Sequence, residues 1–441
     1  MSDTLNPTAV VESTTTSRSS WTNSDTTWML SLYGTAIGAG VLFLPIKAGS
    51  GGLIPLLFVL LFSFPMAYLA HRGLCRFILA GSSADGDITV TTEEFFGPVA
   101  GNVITFLYFL IIFPILLIYS VGLTNTTLSF MENQLHLISA TAANSLALKT
   151  IVSLVIVSGL MAIINFGQEM TLKVMSYLVY PFICVLMFIA LWMSQYWSTS
   201  IFSTWSTEET VMGTLGNIWL IIPVMVFAFN HSPIISSLAV AKKKEDAGMA
   251  EQKCSRIIKY ANILMVVTVM FFVVSCALAL SPEQLSQAAS ENLPILSYVA
   301  NHFGTPFFSI LAPIVAFVAM SKSFFGHYLG AKEGFDGLVT RGAKAMGKAP
   351  SVKTVNKITF VFIFITCWVI AILSPNVLDL IETLVGPIIA SILFLLPMYA
   401  ISRVPALAKY KGQVSNIFVT VLGLIAISAI VFSLVSMAIA G

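Results

Sequence analysis

The residues best suited to chemistry in this chain are polar ones in apolar surroundings. Phe229-Asn230-His231-Ser232-Pro233 stands inside an apolar run from Leu215 to Val240. Asn, His and Ser in succession are costly at the middle of a bilayer unless they line a cavity or bond across to a neighbouring helix. Pro233 lacks an amide and crowds the carbonyl of Phe229, four residues earlier, so a helix is expected to be interrupted there. Lys322, between Ser321 and Ser323, is the one lysine well inside an apolar run, eight residues before Gly330. That places it roughly 12 Å along a helix from the nearer end. Burial penalises a charged amine, so a lysine there could gain and lose a proton; a stem snorkelling to the headgroups is the other reading.

Less is expected of the remaining polar groups. Tyr119 could close one side of a pocket or sit in a bundle with its hydroxyl satisfied. Asp379 and Glu382, three residues apart at the start of a run, could gate or relay protons, or could be the acids that favour a helix N-terminus. Cys75, Cys184, Cys254, Cys276 and Cys367 stand singly, without the CxxC spacing of zinc or redox work. There is no HExxH, no phosphate-binding loop and no pair of intramembrane carboxylates, and His231 lacks a nucleophile partner. An integral-membrane enzyme is therefore not expected, nor is any metal or other cofactor.

The element that must position these groups is the run from Trp28 to Ala48, long enough to cross a bilayer. It contains Gly34-Thr35-Ala36-Ile37-Gly38-Ala39-Gly40, and each glycine loses about 1 kcal/mol of helix propensity relative to alanine. Either these glycines let another helix approach or the helix unwinds at mid-membrane. Unwound backbone survives there only against protein or a polar cavity, where its freed groups can bind something. Thr35, Ala36, Gly38, Ala39 and Gly40 then join Phe229, Asn230, His231 and Ser232 as candidate binding residues, with Tyr119 nearby. Ser321, Lys322 and Ser323 are the candidates for proton coupling or for substituting a bound cation.

The composition fits such a setting. The 441 residues are 57% hydrophobic and only 10% charged, with a mean hydropathy of +0.91, whereas an ordinary globular chain is about 25% charged. A net charge of +2, with no basic block outside the loops, gives no reason to expect nucleic acid as a partner. Residues 1–27 read as a disordered cytoplasmic tail and 28–441 as one transmembrane domain. About eleven spans follow from the apolar runs. Two interrupted spans five helices apart indicate an inverted five-plus-five repeat, with residues 28–194 and 214–401 as its halves and 415–439 as an added eleventh helix. Lys and Arg place the N-terminus inside: Arg72, Arg76, Lys173, the cluster from Lys242 to Lys259, the loop from Lys332 to Lys357 and the turn with Arg403 fall on one side. Lys47 and Lys149 fall on the other, with acids such as Glu208, Glu209, Glu283 and Glu291.

Four stretches carry a family resemblance: Gly34 to Pro45, Phe229 to Ser237, Lys322 to Gly330 and Gly386-Pro387-Ile388-Ile389-Ala390. Together they resemble the bacterial hydroxy and aromatic amino acid permeases, nearest the enterobacterial serine/proton symporters and then the threonine/serine carriers, from about Trp21 to the last span. The resemblance implies an all-α integral membrane importer in the LeuT-like fold of the amino acid, polyamine and organocation transporters, with helices 1 and 6 discontinuous. It implies serine as the small amino acid substrate, the proton as coupling ion, a bacterial inner membrane with cytoplasmic N-terminus and periplasmic C-terminus, and action as a monomer. A serine zwitterion would rest its carboxylate on the amides of Gly38 to Gly40 and its ammonium on carbonyls near Thr35 to Ile37 and at Phe229. Its hydroxyl would meet Asn230, His231 or Ser232. An exchanger, a nutrient sensor or a sodium-coupled symporter of the same fold are the alternatives.

Overall fold

The computed structural model describes residues 20–165, 168–203, 211–303 and 305–440, and among them the regular structure is all helical. The principal helices are α1 (Asn23–Ala36), α2 (Ala39–Ser50), α3 (Leu53–Ala80), α4 (Ile88–Asn133), α5 (Leu146–Asn165), α6 (Gln168–Trp192), α7 (Val211–Ala228), α8 (Ser232–Glu245), α9 (Ala250–Ala279), α10 (Pro306–Ala345), α11 (Val352–Leu373), α12 (Val377–Arg403) and α13 (Val414–Ala440). Among the described residues ten helices are long and apolar enough to cross a membrane, eleven with α1 and α2 taken as one bent span. This is the architecture of a multi-pass membrane protein. Leu61, Val155, Val267 and Val421 leave large apolar side chains exposed, as residues facing lipid tails do.

Both expected interruptions are present. α1 ends at Ala36 and α2 restarts at Ala39, bent by 57°; α7 ends at Ala228 and α8 restarts at Ser232. Pro233 stands in the first turn of α8, where its missing amide costs no helical hydrogen bond. α1 packs on α9, α2 on α7 and α9, α3 along α9, and α10 along α4, so the two breaks are enclosed by other helices.

The ends of several elements differ from the sequence expectation. α1 begins at Asn23, five residues before Trp28, because Thr22 and Asp25 cap it reciprocally: Asp25 N–H donates to Thr22 Oγ1 (3.3 Å) and Thr22 N–H to Asp25 Oδ2 (2.9 Å). Asn23 to Thr27 of the expected tail thus belong to α1; residues 1–19 lie outside the described residues, as do Glu208 and Glu209 and the side chain of Lys173. α4 likewise begins well before its apolar stretch, at Ile88. The Asp87 carboxylate accepts the amides of Thr89 and Val90 to start α4, and Gly97, at φ +85°, turns this first segment into the long span. That left-handed angle favours glycine.

Lys242, expected only as part of the basic cluster that sets orientation, is fully buried. Its Nζ lies 2.7 Å from Asp25 Oδ1, whose side chain is equally buried, and 2.7 Å from Glu245. Glu245 also receives Lys253, at 2.7 Å. The network ties the start of α1 to the end of α8 and the start of α9. A buried pair is costly to break from one side only, since the partner is left as an unpaired charge, at about 3–5 kcal/mol. Lys242→Met is therefore expected to lower the thermal unfolding midpoint of the detergent-purified chain sharply. Adding Asp25→Asn should restore most of the loss; equal midpoints for the single variant and the parent would refute the coupling.

Candidate functional site

The first break is held open by a side chain from another helix. Ser323 Oγ of α10 donates to the Ile37 carbonyl at 2.5 Å. Ile37 itself is extended (φ −76°, ψ 102°), and its amide closes the last turn of α1 on Tyr33 O at 3.1 Å. Gly38, the residue before α2, supplies no side-chain cap. The first-turn amides of α2, at Ala39, Gly40 and Val41, are therefore donors without partners in their own helix. Close approach explains the glycines. A Cβ on Gly38 would stand 2.4 Å from the Tyr119 hydroxyl and 2.6 Å from Ser323 Oγ, and one on Gly40 would stand 2.6 Å from Ala228 Cα. Tyr119 and Ser323 thus flank the first break, and the last residue of α7 abuts it.

The second break satisfies most of its own backbone. The Asn230 amide donates to Phe227 O (3.2 Å), and the Ser232 amide to Asn230 Oδ1 (3.0 Å). His231 Nδ1 donates to Phe229 O at 3.0 Å, and the His231 amide donates to His71 Nε2 of α3 at 3.1 Å. The imidazoles of His71 and His231 lie face to face, 3.5 Å apart and 8° from parallel. Two side-chain atoms remain buried without a protein partner: Asn230 Nδ2 and His231 Nε2. The second, with the ring proton on Nδ1, is an acceptor. Few buried polar atoms in proteins lack a partner, and those that do ask for a reason.

α10 brings a third group. Lys322 is fully buried, its Nζ without a hydrogen-bond partner among the described residues and 5.1 Å over the Phe182 ring of α6. It also lies 3.9 Å from where a Cβ on Gly34 would be. It does not reach the surface, so snorkelling does not describe it. Ser321 Oγ is likewise buried and unpartnered. Thr35 and Ala36 are buried in the last turn of α1, and the Thr35 hydroxyl is engaged by Ser31 O at 2.8 Å.

A cavity of about 1430 Å³ reaches Gly34, Thr35 and Pro233 and opens at the end of the bundle carrying Lys332, Glu333 and Lys353. At the opposite end Lys47 of α2 pairs with Glu382 of α12 at 2.8 Å, both largely buried, beside a π-turn over Ile381–Val385. Asp379 is exposed and is not brought to the site.

No family model matches the chain. Its sequence is 54% identical over 423 residues to the serine transporter SdaC of Escherichia coli, covering 95% of this chain and 97% of that one. The SdaC protein of Shigella flexneri is 53% identical over the same length and shares. The chain belongs to the serine transporter family. Two crystallised mutants of the Eremococcus coleocola manganese transporter share the fold of this serine transporter relative, with TM-scores of 0.59 and 0.60 at 12% and 13% identity. They cover 93% of this chain and 85% and 86% of their own.

Thr35, Ala36, Gly38, Ala39, Gly40, Phe229, Asn230, His231, Ser232, Tyr119 and the triplet Ser321 to Ser323 all fall around the two breaks. His71 and Lys47 were not anticipated, since His71 reads only as the end of the second run and Lys47 as a stray basic residue. His71 meets a partner 160 positions away, and the available signal was its type, a histidine bordering an apolar run like that around His231. In this member of the serine transporter family, Gly38→Ala is expected to push Tyr119 and Ser323 from the break and cut substrate uptake on the order of tenfold to a hundredfold. Gly159→Ala, at a site where a Cβ meets nothing within 4 Å, is the control. Equal uptake by the two variants, at equal membrane abundance, would refute the close-approach reading.

Proposed function

We propose that this chain is a secondary active importer of L-serine, or of a close hydroxy amino acid such as threonine, working by proton symport and alternating access. The observation that carries the reading is a pair of buried, unpartnered atoms on neighbouring residues of one helix break, the donor Asn230 Nδ2 and the acceptor His231 Nε2. A hydroxyl offers both matching roles, because it donates one hydrogen and accepts others; a methyl offers neither. The name of the relatives, serine transporter, supports the same substrate.

The rest of a zwitterion finds matching groups. The uncapped amides of Ala39, Gly40 and Val41 and the positive end of α2 suit a carboxylate. The Ile37 and Phe229 carbonyls each retain a lone pair for the ammonium after accepting Ser323 and His231. Tyr119 stands at Gly38 as one wall. Lys322, where α10 passes the first break, is the proton carrier: its amine occupies the place a sodium ion would take, and protonation there adjusts the charge facing the break.

The two halves of the repeat are α1 to α6 and α7 to α12, each opening with its broken span, and α13 is the addition. The lysine-rich end faces the cytoplasm and the C-terminus the periplasm of a bacterial inner membrane. In that orientation the cavity opens inward, and Lys47 with Glu382 closes the outer side, with Asp379 at its rim. A monomer suffices, since both breaks belong to one chain.

Uptake of labelled serine into right-side-out vesicles tests the mechanism. An inward proton gradient is expected to drive accumulation, an uncoupler to abolish it, and a sodium gradient to do nothing. Lys322→Ala should lose accumulation while reaching normal abundance. Accumulation by that variant against a gradient would remove Lys322 from the proton path. Uncoupler-insensitive uptake would point to an exchanger, and sodium-driven uptake to a sodium symporter.

A further inference from the structure

The face-to-face pair His71 and His231 is unexplained by substrate contact, since only the second belongs to a break. His71 sits on the intact span α3, 1% exposed. Its Nδ1 lies 2.7 Å from the Ala67 carbonyl. A carbonyl can only accept, so Nδ1 carries the ring proton and Nε2 is left with a lone pair. That lone pair takes the His231 amide at 3.1 Å. His231 repeats the pattern one layer away: Nδ1 donates to Phe229 O, and Nε2 is left as a lone pair with no protein donor. His71 is thus neutral with its proton on Nδ1, and in a neutral His231 the Phe229 carbonyl selects the same tautomer.

The consequence is mechanical. Of the amides from Phe229 to Ser232, that of Phe229 closes the last turn of α7 on Met225 O, those of Asn230 and Ser232 bond within the break, and that of His231 alone reaches another helix. His71 therefore fixes the break twice, by accepting its middle amide and by stacking on its ring. With ring plane and backbone both held, His231 Nε2 has one direction in which to point.

We propose that His71 is a positioning residue for substrate recognition: by accepting the His231 amide it holds His231 Nε2 as the acceptor for the substrate's hydroxyl proton. The proposal rests on reading this site as one for a small hydroxy amino acid. It assigns to α3, which contributes no residue to either break, a share in discriminating serine from alanine. A ring that stacks without accepting would leave the His231 amide unpaired in a dry interior, and the break would shift to find another partner.

Two variants separate the roles. His71→Phe keeps a ring to stack and removes the acceptor; His71→Gln places a carboxamide oxygen where it can accept and removes the ring. In serine uptake with alanine as competitor, at matched membrane abundance, His71→Phe is expected to raise KM for serine by about tenfold or more. The maximal rate per transporter should change much less, and the preference for serine over alanine should shrink. His71→Gln is expected to recover most of the KM and the preference. A second readout needs no substrate: hydrogen exchange of peptides spanning residues 227–234 in the purified chain. The His231 amide should be protected in the parent and in His71→Gln and exchange faster in His71→Phe. Unchanged exchange and unchanged KM in His71→Phe would overturn the proposal, as would a His71→Gln variant as impaired as His71→Phe in both. A parent that takes up no serine but shows the expected exchange pattern would sink the substrate reading and leave the positioning role standing.

Discussion

A peptide group in the middle of a bilayer has no water to turn to, and this constraint organises the molecule. Two helices are broken where that cost is highest, and each break is stable because neighbouring helices supply what the missing turns would have supplied. Ser323 of α10 takes the carbonyl of Ile37, and His71 of α3 takes the amide of His231. Asn230 caps α8 through its own side chain. At the second break the side-chain atoms left over among the described residues are Asn230 Nδ2 and His231 Nε2. A binding site in such a protein is the residue of an otherwise complete accounting of donors and acceptors.

Buried charge is handled in two opposite ways. Near the start of α1, Lys242 is enclosed with Asp25 and Glu245, so its charge is matched and the helices are tied together. Near the first break, Lys322 is equally enclosed, with the Phe182 ring beside its amine and no hydrogen-bond partner among the described residues. Lys242 is held among matched charges, whereas Lys322 has no acidic partner among the described residues. This contrast, more than burial alone, separates the structural lysine from the one assigned to proton coupling.

The ion pair of Lys47 with Glu382 and the cavity mouth at Lys332, Glu333 and Lys353 lie at opposite ends of the bundle. One end is pinned by a partly desolvated pair that must rehydrate to separate; the other is wide and lined with charges that water already solvates. An asymmetry of this kind is what a carrier needs on one side of its cycle, and the ion pair is a contact that can be exchanged for water with modest net cost.

Much of this was legible from residue types alone. Three glycines within seven residues, and Asn-His-Ser-Pro inside an apolar run, mark breaks because backbone propensity and proline sterics are local properties. The span count followed from the lengths of apolar runs, equally local. What tertiary structure alone decided was who satisfies whom. His71 meets His231 across 160 positions, Lys242 is a buried partner of Asp25, and the first helix starts at its cap and not at its first apolar residue. Hydrogen bonds and ion pairs between distant segments depend on how the helices pack, and the order of residues along the chain carries no direct record of that packing.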